Sequence, residues 1–119
     1  MGQCTRSIRN THCVQDDLDM TVDGETDVYE VKEMSTVGVQ FFTKNHTPLS
    51  ENCPEIILKV SLKEDADSFV VYDCQKICVD CPGKFWNIAD AAFKFMKLCY
   101  VQNGATDGTL CICACAKRN

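Results

Sequence analysis

The chain ends in Cys111-Ile112-Cys113-Ala114-Cys115-Ala116-Lys117-Arg118-Asn119, a stretch in which cysteine alternates with isoleucine and alanine. In a β-strand, residues i and i+2 point to the same face, so Cys111, Cys113 and Cys115 would share one face and the intervening apolar residues the other. Thiols two residues apart on one strand lie near the upper limit of disulfide geometry and should not bond each other. Each of the three therefore needs a partner elsewhere in the chain, or the three share a metal ion.

The number of cysteines predicts a disulfide-stapled domain. Ten cysteines in 119 residues reach the density at which a disulfide framework is typical of secreted proteins. The length predicts one domain over residues 1–119. No apolar run follows Met1 as in a signal peptide, and we interpret Met1 as the start of an expressed mature chain. We predict a secreted, extracellular protein in which all ten cysteines form disulfides: Cys4, Cys13, Cys53, Cys74, Cys78, Cys81, Cys99, Cys111, Cys113 and Cys115.

Alternating apolar residues predict an antiparallel sheet of four to five strands. The clearest strand covers residues 55–63, in which Ile56, Leu58, Val60 and Leu62 form one apolar face. Residues 68–74 follow a polar turn and should return as its hairpin partner. Residues 26–34 and 37–42 are two further strands, and the cysteine-rich end is the last.

After Pro82 the apolar spacing changes and predicts one late helix over residues 88–101. Asn87 is a suitable N-cap, and Asn103-Gly104 is a suitable stop. The apolar stripe consists of Phe85, Ile88, Ala89, Ala92, Phe95, Met96 and Cys99. A hairpin strand is the alternative, since part of this segment also alternates. The predicted fold class is a small disulfide-rich α+β domain. Phe85 and Trp86 are expected to anchor the start of the helix in the core, and an exposed binding anchor is the alternative.

Two cysteine patterns also allow a metal. The C-x3-C-x2-C spacing of Cys74, Cys78 and Cys81 resembles the cluster loop of radical S-adenosylmethionine enzymes, which implies an iron–sulfur cluster, but those enzymes are much larger barrels. The same loop with Cys99 and the terminal cysteines could bind zinc through four thiolates. The terminal C-x-C is similar to the last strand of cystine-knot growth factors, although their C-x-G-x-C partner motif is absent. We predict no metal and no cofactor, and keep a cytosolic all-thiolate metal protein as the alternative.

The charge is negative and uneven. A net charge of −5 argues against nucleic-acid binding, and no apolar stretch is long enough for membrane insertion. Carboxylates crowd residues 16–33, where they form either a solvated face or a patch that steers a basic partner. We predict contact with an extracellular protein or receptor that has a basic face. The predicted partner-binding residues are Asp16, Asp17, Asp19, Asp23 and Glu25.

The two histidines give a weaker enzymatic alternative. His12 and His46 could act as base and acid in a small secreted hydrolase, but no nucleophile motif accompanies them, and we assign no catalytic residue. Asn45-His46-Thr47 is a glycosylation sequon and predicts a glycan on Asn45. The favoured function is a secreted, non-enzymatic binding protein, namely a toxin, inhibitor or receptor ligand. Disulfide-fixed loops suit this role because they lose little entropy on binding.

Overall fold

In the described part of the chain, ten β-strands in two sheets form the fold. The computed structural model describes residues 5–7, 12–31, 34–47, 53–77, 83–89 and 91–117, with the backbone alone for residues 5–7 and 12–16. The strands are β1 Thr5–Ser7, β2 His12–Asp19, β3 Gly24–Glu25, β4 Val28–Glu30, β5 Thr36–Lys44, β6 Glu55–Ser61, β7 Val70–Lys76, β8 Gly83–Ile88, β9 Phe95–Val101 and β10 Thr109–Lys117. A short 3-10 turn, Ala66–Ser68, separates β6 from β7.

The two sheets are almost wholly antiparallel. Sheet A has the strand order β1-β4-β9-β6-β7, and β3 pairs with β9 beside this path. Sheet B has the order β2-β10-β5-β8. Among the described strands, only β1 and β4 pair in parallel. Of the pairings that the described residues form, the β6–β7 hairpin is the one between consecutive strands, so this part of the fold rests mainly on contacts between distant segments.

The core lies between the sheets, in the manner of a β-sandwich. Alternation along each strand turns one row of side chains inward. Sheet A buries Ile56, Leu58, Met96, Leu98 and Tyr100, and sheet B buries Val37, Val39, Phe41, Leu110 and Ile112. The Tyr100 hydroxyl donates to the Met20 carbonyl oxygen at 2.9 Å, so its polar end is satisfied inside the core.

The predicted late helix is wrong, because residues 95–101 form the central strand β9. Met96, Leu98 and Tyr100 face the core opposite Val60, Leu58 and Ile56 of β6. No α-helix occurs anywhere in the described residues. The helical stripe was misleading because an apolar run of this length fits both periods, and long-range pairing with β6 selected period two. The alternative of a hairpin strand is correct in the strand but not in the hairpin, because β9 pairs with β6 and β4.

The disulfide-rich fold class is also wrong. Cys53, Cys74, Cys99, Cys111, Cys113 and Cys115 carry thiols, and no disulfide joins the described side chains. A chain of this length can bury enough apolar surface between two sheets to fold without covalent staples. Cys4, Cys78, Cys81 and the side chain of Cys13 lie outside the described residues. The predicted pairing is therefore absent at the six described cysteines and stays a prediction only for Cys4, Cys13, Cys78 and Cys81.

Several local predictions are confirmed. Val37, Val39 and Phe41 form the buried face of β5. The hairpin partner of β6 is β7, although β7 begins at Val70 and ends at Lys76. In β10, the intervening apolar residues Ile112, Ala114 and Ala116 are buried. The predicted strand over residues 55–63 stops earlier, at Ser61, which leaves Leu62 exposed.

Candidate binding face

The outer face of sheet B brings together side chains from three strands. Gln40 of β5 lies between Phe85 of β8 and Cys113 of β10 in the strand register. One step along, Gly38 lies between Asn87 and Cys115. Residues that alternate with these along β5 are buried in the core, so this row faces outward.

Phe85 is the most exposed large apolar side chain on this face, at 66%. Its neighbour Trp86 is only 7% exposed, because the two residues point to opposite sides of β8. The prediction that both anchor the core is therefore confirmed for Trp86 and wrong for Phe85. The alternation of Phe85-Trp86-Asn87-Ile88 was the signal in the sequence that could have separated the two roles.

Gly38 lets the Phe85 ring approach the sheet closely. A Cβ at Gly38 would lie 2.9 Å from Cζ of Phe85, which is closer than real contacts allow. An alanine at this position would push the ring away from β5. The glycine therefore fixes where the aromatic surface lies, without a positive φ being involved.

A shallow groove runs beside the Phe85 ring. We name it the Phe85 groove. The Phe85 groove consists of two adjoining cavities, of about 250 and 100 Å³, and Gly38, Phe85 and Cys115 line both of them. The lining residues are Thr36, Gly38, Gln40, Phe85, Asn87, Cys113, Ala114, Cys115 and Lys117. An aromatic wall with amide groups at either side suits a neutral ligand that has both an apolar face and hydroxyl groups.

A second groove lies at the edge of sheet A. Its cavity of about 370 Å³ is lined by Val60, Ser61, Leu62, Lys63, Ser68, Val70 and Phe93. The rings of Phe93 and Tyr72 meet edge to face, with centroids 5.5 Å apart. The hydroxyl groups of its Ser61 and Ser68 hydrogen-bond each other at 2.6 Å, and Lys63 supplies the third polar group of the lining.

The cysteines predicted to pair lie on several different strands. Cys74 of β7 and Cys99 of β9 both lie opposite Ile57, so a whole strand separates them. The backbone of Cys113 lies opposite that of Cys13 in the β2–β10 register. No group of three or more metal-ligating side chains is present among the described residues. Burial is the main cause that raises the pKa of the Cys99 thiol, and Glu25 contributes with Oε2 3.7 Å from the sulfur.

The acidic residues predicted to bind a partner also hold local structure. Asp19 accepts hydrogen bonds from the amide and hydroxyl of Thr21, which lowers the pKa of its carboxyl. Asp23 accepts one from the amide of Gln102. Glu25 lies 3.5 Å from Nζ of the buried Lys97.

Asp17 has a φ of 54° and lies 3.9 Å from Nζ of Lys44. The side chain of Asp16 is outside the described residues. Asp17, Asp19 and Asp23 are exposed, so the predicted contact surface is accessible at these three positions.

His46 is part of a latch between two loops rather than an accessible catalytic group. Its side chain is buried, and Nδ1 lies 3.2 Å from the carbonyl oxygen of Asp107. Thr47 donates to the Asp107 carboxylate through its amide at 2.7 Å and its hydroxyl at 2.6 Å. Gly108 has a φ of +100°, and a Cβ there would lie 2.7 Å from Cβ of His46, so this contact requires glycine.

Asn45 is exposed, while the side chain of His12 lies outside the described residues.

Comparison with known proteins identifies the fold alone. No family model matches the chain. No curated protein matches it in sequence. The SPBc2 prophage-derived protein YomS has a TM-score of 0.59 at 11% identity, with 91% of this chain and 92% of that chain covered.

Two binding domains have similar folds. The adhesin domain of Lys-gingipain from Porphyromonas gingivalis W83 has a TM-score of 0.53 at 10% identity, over 82% of this chain and 63% of that chain. A structure described as "CBM4 structure and function" has a TM-score of 0.51 at 14% identity, over 90% of this chain and 70% of that chain. At such low sequence identity, the structural likeness shows a shared β-sandwich fold and says nothing about function.

No described helix has the length and apolar character needed to cross a membrane.

Proposed function

We propose that the protein is a non-enzymatic binding protein that takes a neutral sugar ring in the Phe85 groove. The observation that carries this proposal is the exposed Phe85 ring, seated on Gly38 and flanked by Gln40 and Asn87. The face of an aromatic ring is electronegative and attracts the C–H face of a sugar. The two amides can donate and accept hydrogen bonds with sugar hydroxyls. The fold shared with a carbohydrate-binding module is compatible with this use.

The residues of the groove support binding rather than hydrolysis. Glycoside hydrolases use a pair of carboxylates on either side of the scissile bond. The lining of the Phe85 groove contains no carboxylate and no imidazole. Its chemistry is aromatic, amide and thiol, with Lys117 as the single cation in the lining.

The test is a glycan array followed by calorimetry on the best ligand. Phe85→Ala should weaken binding by about tenfold or more, as expected for loss of a central aromatic contact. Gly38→Ala should weaken it as well, because the ring is displaced although it is still present. Leu62→Ala removes an equally exposed apolar side chain from the other sheet and should leave the affinity unchanged. Equal binding by wild type and Phe85→Ala would rule out this groove, and binding of no glycan would rule out the ligand class.

An extracellular location is part of the same proposal. The exposed Asn45 could carry a glycan if the chain enters the secretory route, and peptide mapping of secreted protein would detect it. The narrower roles of toxin, inhibitor or receptor ligand follow only once the ligand is known.

A protein partner is a second candidate, supported by the exposure of Asp17, Asp19 and Asp23. We propose that these carboxylates steer a basic surface toward the protein. The acidic surface and the Phe85 groove share no residue, so the proposal for a protein partner and the proposal for a sugar ligand can be disproved independently.

A further inference from the structure

We propose that the sugar bound in the Phe85 groove is one ring of a linear, neutral oligosaccharide, which lies along β5 and places another ring against Phe42. The proposal rests on the sugar-binding function, because both rings use the outer face of sheet B. Every second side chain of β5 faces outward, so Gln40 and then Phe42 follow Gly38 in one row. Gln40 is exposed, and Phe42 is 37% exposed. The row therefore offers a further aromatic ring beyond the end of the Phe85 groove.

Glycines on the facing strand leave room for both aromatic side chains. Phe85 of β8 approaches Gly38 of β5, with Cζ 2.9 Å from the position of an added Cβ. Phe42 of β5 has the reverse arrangement, because it pairs with Gly83 of β8, where an added Cβ would lie 3.2 Å from the Phe42 Cβ. A side chain at either glycine would crowd the aromatic residue and cover part of it. Two aromatic surfaces therefore stay accessible on one pair of strands, as at sites where a ligand approaches a sheet closely.

The spacing of the two aromatic surfaces requires more than one sugar ring. The Phe85 ring lies at the level of Gly38, four residues from Phe42 along β5. Four residues of an extended strand span about 13 Å, which is longer than a single sugar ring. Gln40 lies midway in this row, and its amide can hydrogen-bond the hydroxyls of the intervening part of the chain. An extended oligosaccharide matches this order of aromatic, amide and aromatic groups.

The charges near Phe42 favour a neutral sugar at this end. Nζ of Lys44 lies 5.9 Å from the centroid of the Phe42 ring and 3.9 Å from Oδ1 of Asp17. The cation is therefore balanced by a carboxylate, and the pair gives no net attraction for a charged sugar. The ammonium can still donate a hydrogen bond to a hydroxyl of the ring bound at Phe42. Gly38 and Gln40, the outward residues of β5 before Phe42, carry no charge.

The experiment measures dissociation constants by NMR titration with linear homo-oligomers of glucose, mannose, xylose and N-acetylglucosamine, each as the monomer, dimer, trimer and tetramer. We expect the affinity for a series that binds to rise about tenfold from monomer to trimer, because a further ring then reaches Phe42. Phe42→Ala should remove this gain and leave the affinity for the monomer as in wild type. Phe85→Ala should weaken binding of the monomer and the trimer alike.

Further variants separate the Phe42 ring from its packing. Phe42→Leu keeps a bulky apolar side chain without the ring and should lose the same gain in affinity. Val22→Ala shortens an exposed apolar side chain in the turn after β2 and is the matched control, with no effect expected. A trimer of galacturonic acid should bind no more tightly than the best neutral trimer.

The outcomes distinguish this proposal from the sugar site itself. Binding that depends on Phe85 but not on chain length would overturn the oligosaccharide and keep the sugar site. A gain with chain length that survives in Phe42→Ala would do the same. Tighter binding of the acidic trimer would overturn the neutral class of ligand, and binding of none of the oligomers would overturn both proposals.

Discussion

Asp107 joins the loop after β5 to the loop before β10, and one carboxylate makes most of this contact. The amide and hydroxyl of Thr47 both donate to it, and Nδ1 of His46 lies 3.6 Å from Oδ1. The hydroxyl of Thr47 is the main cause that lowers the pKa of the Asp107 carboxyl, and the Thr47 amide is the next. The pKa is therefore lower in the folded chain than in the unfolded chain. The latch stabilises the fold above the unfolded pKa, and this contribution is lost as the pH falls through the folded pKa.

We predict that Asp107→Asn lowers the free energy of unfolding at pH 7, because an amide nitrogen cannot accept the Thr47 hydroxyl hydrogen. The difference from wild type should shrink as the pH falls below about 4, because the unfolded chain then binds a proton at Asp107 before the folded chain does. Urea unfolding between pH 3 and 7 measures this. Asp67→Asn, at an exposed carboxylate in the 3-10 turn, is the control. A difference between wild type and Asp107→Asn that does not vary with pH would mean that the carboxylate charge contributes nothing.

The segment between β8 and β9 is not helical, although the spacing of its apolar residues fits a helix as well as a strand. Ala92 would be in the middle of the predicted helix, but it lies exposed in the connection before β9. The neighbouring residues Ala91 and Lys94 donate backbone hydrogen bonds to Ser35 and Ser61, which fixes the path of the connection. The two interpretations differ sharply in what a proline at position 92 would do.

We predict that Ala92→Pro costs less than about 1 kcal/mol of folding free energy, as for an exposed position outside regular structure. A helix interior would lose about 3 kcal/mol or more, because proline removes a hydrogen bond and clashes with the preceding turn. Leu98→Pro is the contrasting variant, since Leu98 is buried and its amide donates to Thr26 Oγ1 at 3.1 Å. Urea unfolding measures the free energy of unfolding of both variants and so distinguishes a helix from an irregular connection at position 92. A loss of several kcal/mol at Ala92 would argue for a helix in this segment.

Over the whole molecule, the net charge of −5 is concentrated near β2 and β3. Because several of these carboxylates also accept hydrogen bonds, reversing their charge would disturb the turns. Asparagine keeps an accepting oxygen at each position. The triple variant Asp17→Asn, Asp19→Asn, Asp23→Asn changes the net charge from −5 to −2, since three carboxylates become neutral.

We predict that this triple variant associates more slowly than wild type with an immobilised decalysine peptide, and with a weaker dependence on salt. The reason is that steering by exposed charges is screened beyond about 10 Å at 0.1 M salt. Association rates at low and moderate salt measure the effect. A second triple variant, Glu64→Gln, Asp65→Asn, Asp67→Asn, has the same net charge and should behave like wild type. Equal behaviour of the two variants would show that net charge alone matters and that residues 16–25 form no special surface.

How much was predictable depends on the range of the interactions involved. Alternation over β5, β6 and β10 predicted their buried faces correctly, since side chains in a strand alternate whatever the strand pairs with. The β6–β7 hairpin was also predictable, because its two strands adjoin in sequence. The candidate site was not, because Phe85, Gly38 and Cys115 meet only through pairings across many residues.

The sequence by itself determined alternating strands, an acidic first third and the buried row Ile112, Ala114 and Ala116 of the last strand. Only the tertiary structure decided that residues 95–101 extend beside β6 instead of coiling, because burial of Met96, Leu98 and Tyr100 between the sheets outweighs a local preference that is worth little. It also decided that Phe85 points outward while Trp86 fills the core. The thiols of Cys74 and Cys99 stay apart for the same reason: sheet order fixes a strand between them, and no local pattern reveals which strands become neighbours.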